Sequence, residues 1–166
     1  MNLNELPGHV RNAIRLLGGA ALPAHFPPYV GLPAYRELTR RRLAAILRNS
    51  RYTKRYLKFA LPDLTEEAQF AHGLYVTLKG SDRFDEMMAR QTAAQLSEDL
   101  EQAGFPIRHA GSFGFDFAAT EWSRNPATGR YAIRLSVPDL PTPLWNDLTA
   151  SVARWWSTRY GDYIAA

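Results

Sequence analysis

Apolar residues recur three or four positions apart in four stretches of the chain, a spacing that places them on one face of a helix. The first stretch, residues 2–19, ends in Gly18-Gly19 and predicts an N-terminal helix. The others run from Ala34 to Leu61, from Arg83 to Gly104 and from Pro143 to Arg159. Their apolar stripes consist of Leu38, Leu43, Ile46 and Leu47; of Phe84, Met87, Met88, Leu96 and Leu100; and of Leu144, Leu148, Val152, Trp155 and Trp156.

Local signals set where these helices end. Ser81 or Asp82 is a suitable N-cap for the third helix, and Gly104 is a suitable stop. The stretch "NSRY" at 49–52 predicts a break or bend in the second helix. Neighbouring helical residues point about 100° apart, so Trp155 and Trp156 cannot both face the core. One of the two tryptophans is therefore expected in a groove or an interface.

Four β-rich segments alternate with the helices. They read "HGLYVTLKG" (72–80), "FPIRHA" (105–110), "GFDFAATEW" (114–122) and "RYAIRLSV" (130–137), and a turn at 125–129 joins the last two. This order predicts an α+β fold, with a small, mainly antiparallel sheet and helices packed on one face. We divide the chain into an N-terminal helix and Pro/Gly-rich arm, 1–32, and a domain, 33–166, that begins with a long basic helix.

Composition narrows the classes of function. The chain has 166 residues and no cysteine, which excludes disulfides, thiolate nucleophiles and thiolate metal sites. The four histidines show no metal-binding spacing, so no metal site is predicted. There is no apolar run of about 20 residues and no secretory signal pattern, so we expect a cytoplasmic protein without a membrane partner.

Positive charge is concentrated in one segment. The net charge is +4, but residues 33–60 hold nine Lys or Arg and a single acid, so the remainder of the chain is acidic. A face of this kind binds nucleic acid or an acidic protein partner. No zinc-finger or RNA-recognition signature favours nucleic acid. The candidate surface consists of Arg40, Arg41, Arg48, Arg51, Lys54 and Arg55.

The order of segments from residue 33 to residue 160 resembles the C-terminal small domain of fold-type I, pyridoxal-phosphate (PLP)-dependent aminotransferases. The matching pieces are a long helix, the strand "GLYVTL", a helix ending in glycine, the turn Gly111-Ser112-Phe113-Gly114, the strand motif Ile133-Arg134-Leu135 and a terminal helix. The resemblance implies that Arg134 grips a substrate carboxylate and that Gly111, Ser112, Phe113 and Gly114 shape the pocket. The alternative is that Arg134 is an edge-strand residue that pairs with an acid such as Asp116 or Glu121.

The cofactor-binding large domain of that family has no counterpart in this chain. Its three lysines, Lys54, Lys58 and Lys79, do not lie in the family's Schiff-base motif, so the chain alone is not expected to be an active transaminase. The resemblance implies PLP only if a large-domain subunit is present as a partner. Three interpretations of the chain remain open: a split subunit, a reused binding domain and a truncated piece. A second copy of the chain is another candidate protein partner. The resemblance implies an amino or oxo acid as the substrate. The alternative function is a non-catalytic basic interaction module.

Overall fold

The computed structural model describes residues 32–61, 65–66, 75–79, 84–110, 117–125 and 128–160, and only the backbone of 65–66 and 75–79. Two compact units are distinguished, Met1–Leu38 and Thr39–Ala166. The first unit contributes only Leu32–Leu38 to the described residues. The predicted N-terminal helix and nearly all of the arm therefore lie outside the described residues.

Three helices are described, close to where the apolar stripes predict them. They are α1, Pro33–Ala60; α2, Glu86–Gln102; and α3, Thr142–Tyr160. A break or bend was predicted at residues 49–52; α1 continues through them, so the break is wrong. Asn49 is buried there, and its amide donates to the carbonyls of Pro138 and Leu140, each at 3.0 Å. None of the helices in the described part is long and apolar enough to cross a membrane.

A polar cluster joins α1 to α3. The indole Nε1 of Trp145 donates to the Thr53 hydroxyl at 2.7 Å and lies 3.2 Å from the Asn49 carbonyl. The Thr53 hydroxyl also lies 3.3 Å from that of Thr149. All four residues are almost fully buried. Because buried polar groups are costly unless they are hydrogen-bonded, this cluster fixes how the two helices pack.

Both ends of α2 follow standard capping chemistry. The N-cap is Asp85, whose Oδ1 accepts from the Met88 backbone N–H at 2.7 Å, so the prediction of Ser81 or Asp82 as the cap is wrong. At the other end Gly104 has a φ of 90°. Gly104 N–H donates to Glu101 and Phe105 N–H donates to Leu100, which is the Schellman arrangement. The predicted glycine stop is confirmed.

The strands form one mixed sheet. They are β1, Thr65–Glu66; β2, Tyr75–Lys79; β3, Ile107–His109; β4, Ala118–Arg124; and β5, Tyr131–Ser136. Their order across the sheet is β1-β2-β5-β4-β3, and every neighbouring pair is antiparallel except β3 and β4. The predicted turn between β4 and β5 is present, with Gly129 at φ 71° donating to the Asn125 carbonyl at 2.8 Å.

Hydrogen bonds and register identify the face of the sheet that carries α2. The Thr120 hydroxyl, on β4, donates to the Ala93 carbonyl of α2 at 2.7 Å and also contacts the Ser97 hydroxyl. Leu135 on β5 is the register partner of Thr120, so its side chain lies on the same face. Leu135, Leu96 and Leu148 are all fully buried in one core with α2 and α3. The α+β prediction, with helices packed on one face, is confirmed.

The predicted apolar stripes were only partly correct. Met87 and Met88 are 64% and 36% exposed, and the small residues Ala89 and Ala93 are buried instead. Leu38 is also exposed, at 54%. The two adjacent tryptophans divide as predicted: Trp156 is buried, whereas Trp155 is half-buried and donates to Asp99 Oδ2 at 2.6 Å.

Candidate functional site

Arg134 lies on the central strand of the sheet. β5 is flanked by β2 on one side and β4 on the other, so the description of Arg134 as an edge-strand residue is wrong. Its register partners are Thr77 on β2 and Glu121 on β4. Strand residues alternate between faces, and Ile133 and Leu135 both face the core. Arg134 therefore belongs to the face of the sheet opposite α2.

Glu121 shares that face and forms an ion pair with Arg134 through the guanidinium Nη2 and the carboxylate Oε1. The side chains are 26% and 20% exposed, respectively. The structure thus contains the pairing with Glu121 that was the alternative to a substrate carboxylate. The second candidate acid, Asp116, lies outside the described residues.

Small residues surround this ion pair on its own face. On this face of β4, Glu121 lies between Ala119 and Ser123. On the same face of β5, Arg134 lies between Ala132 and Ser136. Among these described positions no other side chain carries a charge. The only opposite charges within β4 and β5 on this face thus stand side by side at the centre of the sheet.

This arrangement is suited to the recognition of a carboxylate. The planar guanidinium offers parallel N–H groups that match the two oxygens of a carboxylate. Strand β5 holds the Arg134 backbone in hydrogen bonds on both sides, which restricts the position of the group. Glu121 already occupies part of the Arg134 guanidinium, so a ligand carboxylate must compete with Glu121. The predicted pocket turn, Gly111, Ser112, Phe113 and Gly114, lies outside the described residues.

The predicted basic surface lies on one side of α1. Arg40, Arg41, Arg48, Arg51 and Arg55 are exposed, and Lys54 is half-buried. Another arginine of this helix, Arg42, has a different role: its Nε and Nη2 donate to the two Asp139 oxygens at 2.5 and 3.2 Å. Within the described part of the chain, Arg48, Arg51 and Arg55 have no carboxylate partner.

Aromatic residues lie next to these arginines on α1. The rings of Tyr52 and Tyr56 stack with centroids 5.7 Å apart, and Phe59 is 87% exposed. Together with Arg55 they line an open groove of about 390 Å³, which we call the aromatic groove. The signal in the sequence was the spacing of Tyr52, Tyr56 and Phe59, which places three rings on one helix face.

A second cavity, of about 220 Å³, lies beside α2 and α3. It is lined by Met88, Gln91, Thr92, Gln95, Arg159 and Tyr160, and the hydroxyls of Thr92 and Tyr160 are 2.7 Å apart. Close to it, Asp99 accepts from Trp155 and, at 3.0 Å, from Gln95. The hydrogen bond from Trp155, followed by that from Gln95, lowers the pKa of Asp99 from its ordinary value. Burial opposes this shift, and the charge of Arg159 adds to it. No prediction from the sequence involved this cavity.

Among the described residues, no lysine lines either of these two cavities. Lys54 and Lys58 both project from α1, and neither lines either of the two cavities; the Lys79 side chain lies outside the described set. No cluster of three potential metal ligands occurs among the described residues.

Comparison of the chain with protein-family models, with curated proteins and with solved structures found no match in any of the three. The resemblance to aminotransferase small domains accordingly remains a prediction from the order of the sequence motifs.

Proposed function

We propose that this chain binds the carboxylate of an amino or oxo acid through Arg134 and completes the active site of a PLP enzyme whose large domain is a separate subunit. The proposal places the chain in the cytoplasm. One observation carries it: a half-buried arginine occupies the central strand, on the face of the sheet opposite α2. A structural arginine can form an ion pair at any surface, but this position presents the guanidinium at the middle of the sheet, with only small residues beside the ion pair along β4 and β5.

Glu121 has a defined part in this proposal. In the chain alone it occupies the guanidinium and compensates the charge of Arg134. A substrate carboxylate displaces Glu121 from Arg134, whose side chain is 26% exposed, and Glu121 must move for this exchange because its Oε1 is buried in the ion pair. The large-domain subunit supplies the lysine and the phosphate-binding groups that this chain lacks. The cofactor, when bound by that subunit, supplies the electron sink for chemistry at the substrate.

The experiment is affinity purification of the tagged chain from its source cells, with the absorbance spectrum of the purified material. The proposal predicts a co-purifying protein large enough to hold a cofactor domain and a yellow absorbance that changes when an amino acid is added. Arg134→Ala should retain the partner and the colour but lose the response to amino acids. Arg108→Ala, which removes an exposed arginine on β3, is the matched control and should respond like the natural chain.

A colourless preparation without such a partner would contradict the split-enzyme proposal. If the complex is coloured and Arg134→Ala responds normally to amino acids, the split-enzyme complex is supported but the role of Arg134 is refuted. The two parts of the proposal can therefore fail separately.

A further inference from the structure

Two chemically different stripes run side by side along the exposed part of α1. Arg48, Arg51 and Arg55 succeed one another at intervals of three and four residues, and so do Tyr52, Tyr56 and Phe59. Residues at this spacing lie on one helix face, and Tyr52 and Tyr56 directly follow Arg51 and Arg55. The arginine stripe and the aromatic stripe are therefore adjacent, with Arg55 lining the aromatic groove.

The arginine stripe carries charge that the described part of the chain leaves uncompensated. Arg48, Arg51 and Arg55 are exposed and have no carboxylate partner there; Arg55 Nε makes only a 3.4 Å contact with the backbone carbonyl of Arg51. By contrast, Arg42 and Arg90 are each paired with an acid. A row of arginines one helical turn apart attracts a polyanion and releases its counterions on contact.

The aromatic stripe restricts the class of ligand more than the positive charge alone does. Phe59 is the most exposed of the large apolar side chains in the described residues, at 87%, and exposing a ring to this extent is unfavourable unless something covers it. The stacked Tyr52 and Tyr56 form the floor of the groove beside it. Flat rings next to a row of phosphate-binding cations match a chain that has flat bases on one side and phosphates on the other.

We infer that this face of α1 binds single-stranded nucleic acid, with bases stacked in the aromatic groove and phosphates held by Arg48, Arg51 and Arg55. A duplex offers this face its phosphates alone, because its bases are already stacked on each other. An acidic protein segment would satisfy the arginines but would leave the flat rings without a matching surface. This inference does not depend on the proposed function, since Arg134 lies on the sheet and not on α1.

The test is fluorescence anisotropy with a labelled dT20 strand, compared with an abasic strand of equal length and with poly-L-glutamate. The inference predicts that the natural chain binds dT20 at least tenfold more tightly than either control polymer. Three phosphate contacts predict a slope of about −2 in a plot of log affinity against log salt concentration.

Variants separate the two stripes. Phe59→Ala should weaken dT20 binding about tenfold and leave the salt slope unchanged, since loss of one stacking ring costs on this order. Arg51→Ala should make the slope less steep by about 0.7, the share of one phosphate contact to a single strand. The matched control is Arg154→Ala, which removes an exposed arginine on α3 and should bind as the natural chain does.

Equal binding of dT20 and the abasic strand would overturn the inference, because the bases would then contribute nothing. Equal or tighter binding of poly-L-glutamate would also overturn it and would identify an acidic protein as the ligand of this face. Absence of dT20 binding at low salt would overturn it outright. None of these outcomes would alter the result of the amino-acid response experiment.

Discussion

Glu121 and Arg134 stand opposite each other on β4 and β5 and join their side chains in an ion pair on the face of the sheet away from α2. Both side chains keep some contact with water, at 20% and 26% exposure. The pair is therefore partly screened, and its strength lies between that of a surface pair and that of a buried one. Under the proposed function, a pair of this intermediate strength leaves Arg134 open to competition from an incoming carboxylate.

The coupling between the two side chains can be measured through stability. We expect a double-mutant cycle with Glu121→Gln and Arg134→Gln to give a coupling free energy of about 1 kcal/mol, as for other partly exposed pairs. Urea denaturation of the four proteins measures it. A coupling of several kcal/mol would mean that the pair is a permanent structural element and would argue against exchange with a ligand.

The side chain of Asn49 is predicted to contribute strongly to stability. Its amide donates to two carbonyls in the segment after β5, and Asn49→Ala leaves both without that donor. We expect a loss of about 2 kcal/mol in the free energy of unfolding, since a buried unsatisfied polar group costs on this order. Gln91→Ala, at an exposed position on α2, is the control and should change stability by less than about 0.5 kcal/mol. Equal effects of the two substitutions would refute this role.

Gly104 is predicted to be needed for its backbone conformation alone. Its φ is 90°, and a Cβ placed there would meet no atom within 4 Å. Gly104→Ala should therefore cost about 1 kcal/mol through backbone strain, without any clash. Gly104→Asn should cost less, because Asn tolerates the left-handed region better than Ala does. Thermal denaturation of the two variants checks this order, and a stable Gly104→Ala would contradict the Schellman geometry at the end of α2.

Asp99 makes stability depend on pH in the acidic range. The hydrogen bond from Trp155 lowers the pKa of Asp99, so the folded state favours the charged form. A carboxyl group with a lowered folded pKa stabilises the fold above its unfolded pKa, and this contribution is lost as pH falls through the folded value. The stability difference between the natural chain and Asp99→Asn should thus be largest near neutral pH and shrink below about pH 4.

The cause of this shift can be tested separately. Trp155→Phe removes the indole donor but keeps the carboxyl group, so the pKa of Asp99 should move up towards its ordinary value. An NMR titration of the Asp99 carboxyl carbon in both proteins measures this. An unchanged pKa in Trp155→Phe would show that the hydrogen bond at 2.6 Å is not what lowers it.

Elements that depend on local chemistry were predictable from the sequence. Gly104 ends a helix because only a residue that tolerates positive φ completes the Schellman bonds. Similarly, the turn at Asn125–Gly129 follows from its turn-forming residues. The division of Trp155 and Trp156 between surface and core followed from the 100° angle between neighbouring helical residues.

Features that depend on tertiary contacts were not predictable in this way. Asn49 looked like a helix breaker because its acceptors, the carbonyls of Pro138 and Leu140, lie some 90 residues away in the sequence. The central position of β5 depends on how β2 joins the sheet, which no local pattern specifies. For the same reason the sequence offered Glu121 only as one of two candidate partners of Arg134. The exposure of Phe59 likewise depends on the packing around α1, so the aromatic groove became visible only in the structure.

The most direct measurement of the carboxylate site is an NMR titration of the isolated chain with pyruvate and with alanine, performed on the natural protein, Glu121→Gln and Arg134→Ala. Because Glu121 competes for the guanidinium, we predict the tightest binding in Glu121→Gln, weaker binding in the natural chain and none in Arg134→Ala, with shifted signals along β4 and β5. Arg108→Ala should match the natural chain. Equal affinities in all four proteins, or binding that survives in Arg134→Ala, would contradict the assignment of Arg134 as the carboxylate-binding residue.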